Sequence, residues 1–105
     1  MKVVVQSRRI FSAVNIPYQA NTPILPQNII PQYDFSVIRV LFATDIAGVL
    51  YITLDGKDYC LNSCSSIPAN VLFVFDIPLA QFHTINFKFS VSANITIEVS
   101  ELVIL

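Results

Sequence analysis

The chain is 105 residues long, enough for one domain and too short for a second core. Only 12% of its residues are charged, about half the usual share, while 54% are hydrophobic and the formal net charge is −1. Six scattered basic residues leave no electrostatic footprint for nucleic acid, and no run of about 18 to 20 apolar residues is present to span a bilayer as a helix.

The opening residues, "MKVVVQSRRIF", place two arginines where a signal peptide needs its apolar core, so no secretion by that route is expected. An N-terminal strand is predicted within residues 1–15, near Lys2–Val14, with Arg8-Arg9 at a solvated or rim position. Residues 16–33 break the strand pattern. Pro17, Pro23, Pro26 and Pro31 remove ladder donors and bias their predecessors towards extended conformations. Yet Ile16, Ile24, Leu25, Ile29 and Ile30 should not stay in water. An extended, proline-rich arm lying on an apolar surface meets both demands, and that surface belongs either to this subunit or to a neighbour.

Residues 34–105 are expected to form the main sandwich. "FSVIRVLFA" at 35–43 is apolar on both faces and reads as a central strand. In "VLYITLDGKDYCLN" at 49–62, Asp55-Gly56 supplies the positive φ angles of a tight type I′ turn, with Leu50, Ile52 and Leu54 facing the core. Turn residues in "NSCSSIPAN" lead to "VLFVFDI", where Val71, Phe73, Phe75 and Ile77 alternate with Leu72, Val74 and Asp76. After the connection "DIPLAQFHT", the strand "INFKFSVSA" puts Ile85, Phe87, Phe89 and Val91 on one face and Asn86, Lys88, Ser90 and Ser92 on the other. "NITIEVSELVIL" alternates Ile95, Ile97, Val99 and Val103 with Thr96, Glu98 and Ser100. About seven or eight short strands with recurrent period-two alternation predict an all-β fold, an antiparallel sandwich or barrel.

Such a domain has more apolar residues than interior positions. Some must lie on the surface, where large apolar patches mark contacts with partners. The low net charge offers little resistance to association. Other copies of the chain are the expected cover.

No catalytic, cofactor-binding or metal-binding residue is assigned. Cys60 and Cys64, in "CLNSC", lack the second pair that a metal site commonly uses. They read as two buried free thiols or as a local disulfide, with the thiols favoured. His83 stands in a separate loop, and Ser65 and Ser66 lie in no nucleophile-elbow motif. The carboxylates Asp34, Asp45, Asp55, Asp58, Asp76, Glu98 and Glu101 show no calcium-loop spacing. Turn chemistry accounts for Asp55 and Asp58, while Asp45 and Asp76 read as strand-end residues bonding nearby backbone amides. The "NIT" sequon at Asn94 has meaning only in a secreted chain.

The run from Thr44 to Leu102 contains a strand–Asp-Gly–strand hairpin, an "LN-x-x" turn, an "IPAN" turn, and the strands "FDIPL" and "INFKFS". In these it resembles small β-sandwich, jelly-roll-like structural proteins of bacterial and archaeal viruses. Two cysteines and very few glycines are not explained by the resemblance. It implies a virion structural subunit (capsid, decoration or spike base) without enzyme activity or cofactor. Such a subunit would be made in the host cytoplasm and held in the particle by copies of itself and other virion proteins. The alternative is a carbohydrate- or peptide-binding β-sandwich module using Tyr18, Tyr33, Tyr51 or Tyr59, which the absence of Trp disfavours.

Overall fold

The computed structural model describes residues 4–32, 36–79 and 84–104. They form seven strands: β1 (Val4–Tyr18), β2 (Ser36–Thr44), β3 (Leu50–Leu54), β4 (Lys57–Cys60), β5 (Phe73–Leu79), β6 (Ile85–Phe89) and β7 (Ala93–Ile104). A 3-10 turn spans Asn62–Cys64, and no α-helix occurs among the described residues. The strands make two antiparallel sheets, ordered β1-β7-β2-β5 and β4-β3-β6. The expected all-β, sandwich-like architecture is therefore what forms.

Period-two alternation decides which residues fill the space between the sheets. Along β2, Ser36, Ile38, Val40, Phe42 and Thr44 are buried and the intervening residues only half so. This strand is central, flanked by β7 and β5. From β7 come Ile95, Ile97 and Val99, and from the other sheet Leu50, Ile52, Ile85, Phe87 and Phe89. The Phe42 and Phe89 rings meet across the sandwich with centroids 5.0 Å apart. Each such side chain contributes roughly 1.5–3 kcal/mol on leaving water.

The Asp55-Gly56 turn forms as expected. Leu54 faces Lys57, with φ of 50° at Asp55 and 84° at Gly56. Gly48 answers a different need. A Cβ there would lie 2.8 Å from the Phe89 ring and 2.9 Å from Val91. The bare backbone instead approaches closely enough to pair with Ile67, which closes one end of the core without any exposure.

β1 runs further than the sequence suggests, through Pro17 to Tyr18. As the edge of its sheet it tolerates a proline, as does β5, the opposite edge, at Pro78. Beyond β1 the chain crosses to the three-stranded sheet and follows the free side of β6. Asn21 and Ile24 donate N–H bonds to the carbonyls of Phe89 and Phe87, and Ile29 and Ile85 exchange a reciprocal pair. Where regular pairing lapses, Asn86 substitutes for backbone: its Oδ1 accepts from Leu25 N–H, and its Nδ2 donates to the Leu25 carbonyl and to Asn28. Ile24 and Leu25 are thereby buried against this subunit's own core, while Ile30 remains exposed. Pairing and side-chain bonding together explain how a proline-bearing segment stays seated.

Candidate functional site

Among the described residues, the side chains singled out from sequence do not converge. Cys60 and Cys64 are joined as a disulfide with Cα atoms 4.8 Å apart, which corrects the free-thiol reading. Their proximity follows from the 3-10 turn at Asn62–Cys64, where Asn62, Ser63 and Cys64 all have positive φ and the chain doubles back. Ser65 and Ser66 are exposed on the loop that follows. His83, Tyr33 and Asp34 lie outside the described residues. Among the described residues no cluster of three His, Cys, Asp or Glu side chains is placed to hold a metal ion, and no helix is long and apolar enough to cross a membrane.

Among the described residues, the tyrosines form no binding platform. Tyr18 is half-buried, and its hydroxyl accepts from the N–H of Phe89 and Thr22 (3.0 and 3.1 Å) and donates to the Thr22 carbonyl, pinning the crossing between sheets. Tyr51 stands opposite Cys60 and Tyr59 opposite Ile52, so the two rings point to opposite faces of the sheet.

What gathers instead is exposed apolar surface. Among the described residues, Val71, Leu72 and Val74 are three of the seven large hydrophobic side chains left exposed, all within four positions. Val74 pairs in register with Leu41 of β2, half-buried on the same outer face. The strip continues to Asp76, which sits within β5, not at a strand end. It bonds Arg39 twice, at 2.8 and 3.0 Å, in place of the expected backbone amide. Those hydrogen bonds, with the guanidinium charge beside them, hold the Asp76 carboxyl below its ordinary pKa against the opposing effect of burial. The same contact raises the pKa of Arg39.

A second feature lies on the outer face of the four-stranded sheet, a depression of about 370 Å³. Asn15, Asn70, Asn94, Thr96, Asp45 and Leu72 line it. Asp45 is spoken for, since its Oδ1 accepts from Asn94 N–H at 2.8 Å, in keeping with the backbone-bonding role expected for it. Asp58 is engaged across strands, not in its own turn. Thr53 Oγ1 donates to it at 2.6 Å and Lys88 Nζ at 3.2 Å. The Thr53 bond does most to lower its pKa; burial opposes and Lys88 assists.

Among the described residues one charged residue is buried inside the sandwich, and the alternation pattern passes over it. Glu101 occupies an inward position of β7, in line with Ile95, Ile97 and Val99, and is fully buried. Arg8 lies directly opposite on β1 and donates from Nη2 at 2.6 Å. The Gln32 N–H donates to both carboxylate oxygens, at 3.0 and 2.8 Å. Arg8 is thus half-buried and ion-paired; its neighbour Arg9 lies at the rim, meeting Glu98 at 3.5 Å in solvent. The visible signal was a charge at a core position of β7.

No protein-family model matches the chain, and no curated protein matches it significantly.

Proposed function

We propose that the protein is a non-enzymatic structural subunit of a virus particle that works by self-association, and that its fold is a jelly roll in which the proline-rich segment beyond β1 is an arm laid along its own second sheet. Counting the segment 21–29 as an eighth strand on β6 supports the fold assignment. The second sheet then reads segment-β6-β3-β4 against β1-β7-β2-β5, and two four-stranded sheets of this kind are the jelly-roll plan of viral capsid and lectin domains. Fold alone assigns no function. The observation that carries the reading is the exposure of Val71, Leu72 and Val74, close together on a chain with only 12% charged residues. Covering it contributes roughly 25 cal/mol per Å² of apolar area, against which the ordering cost of association is set. Sedimentation across a range of concentrations tests this. A mass that rises to a defined assembly is expected, and a monomer at every concentration would overturn it.

A second reading, a carbohydrate-binding module, rests on the depression beside Asn15, Asn70 and Asn94. The side-chain amides of these three make no hydrogen bond within the described residues. Carboxamides both donate and accept, as vicinal sugar hydroxyls require. Chemical-shift changes confined to these residues on titration with mannose, galactose or glucose would favour it.

A further inference from the structure

We infer that the contact between copies is made by β5, which pairs antiparallel with the β5 of a second copy about a two-fold axis near Val74. This rests on the self-association proposed above and names its surface. A sheet edge exposes a row of unsatisfied N–H and C=O groups, and folded proteins ordinarily blunt such edges. Among the described residues, three of the four edges are blunted by identifiable means. The free side of β6 is occupied by residues 21–29, which take hydrogen bonds that a neighbour would otherwise use. β1 carries three register shifts and Pro17, so it offers no regular ladder. β4 is only four residues long and presents Lys57 and Asp58 to solvent.

β5 is different. It has seven residues, and its pairing with β2 runs from Phe73 to Leu79 without a register shift. Its outer face exposes Val74, with Leu72 just before the strand. The one charge on it, Asp76, is already compensated by Arg39 on the neighbouring strand, so covering it leaves no unpaired carboxylate. Pro78 has no N–H to give, which moves the centre of any pairing towards the start of the strand and places Val74 nearest the axis. Antiparallel pairing of a strand with its own copy is isologous, so one edge satisfies itself and the assembly closes as a dimer. The outer apolar strips of the two copies become continuous across the axis.

The test uses the whole protein with Cys60 and Cys64 intact. In Val74→Cys, the two new thiols would stand with Cβ atoms about 4.5–5.5 Å apart, longer than a disulfide but within reach of a short bis-maleimide, which is expected to give a covalent dimer. In Val74→Lys the mass measured by light scattering is expected to fall roughly twofold, with the melting temperature of the subunit unchanged because residue 74 is exposed. Both variants must respond. If the wild type associates and either variant does not respond, the β5 pairing is overturned and self-association stands. A wild type that stays monomeric overturns both.

Discussion

Replacing Arg8 should destabilise the protein more than replacing Glu101, although the two form one ion pair. The reason lies in their surroundings: the Glu101 side chain is wholly buried, while that of Arg8 is 36% exposed. In Arg8→Met the carboxylate stays inside the sandwich without the Arg8 countercharge. Breaking a buried pair in this way costs about 3–5 kcal/mol, and the surviving Gln32 N–H bonds place this case near 3 kcal/mol. For a domain of this size that corresponds to a melting temperature lower by roughly 12–24 °C. In Glu101→Leu the Arg8 head can turn to water along its aliphatic stem, so the cost falls to about 1–2 kcal/mol. The double variant buries no charge and should return to within about 1 kcal/mol of the wild type. Urea unfolding of the four proteins at neutral pH measures all three differences. Equal costs for the two single variants, or a double variant as unstable as their sum, would refute the role assigned to burial.

Gly48→Ala should cost about 1–3 kcal/mol in thermal unfolding, because its methyl meets the buried Phe89 ring at 2.8 Å. Gly56→Val meets nothing within 4 Å, so its cost, about 1–2 kcal/mol, reflects only the left-handed backbone at φ 84°. Calorimetry should therefore find Gly48→Ala lowering the unfolding enthalpy through lost packing while Gly56→Val leaves the core intact. Reduction of Cys60–Cys64, which closes a loop of separation 4, should lower stability by about 2 kcal/mol on the chain-entropy account. Matched melts with and without reductant read this directly. Because Arg39 depresses the Asp76 pKa, its contribution is present above the ordinary carboxylate value of about 3.9 and is lost as pH falls through the lower folded value. With the side chain 46% exposed, that contribution stays under about 1 kcal/mol. Asp76→Asn should flatten the acid limb of a melting-temperature profile below about pH 4 and leave the neutral plateau nearly level.

How much of this was legible beforehand depended on how far apart in the chain the cause lay. The Asp55-Gly56 hairpin, the central place of β2 and the inward faces of β6 and β7 follow from local φ preferences and a two-residue period, so a short window of sequence determines them. The same period marks Leu72 and Val74 as one face of a strand but cannot say that this face stays uncovered. Exposure depends on β5 being the last strand of its sheet, which is a property of strand order. The disulfide needed the positive-φ turn between its cysteines, and the bare backbone at Gly48 needed Phe89, a residue far along the chain. The Arg8–Glu101 pair is the clearest case. Its members are 93 positions apart, and Glu101 is an exception within an otherwise apolar alternation. Periodicity states which way a side chain points. Only the tertiary pairing of β1 with β7, capped by Gln32, supplies the partners that let the Glu101 charge remain inside.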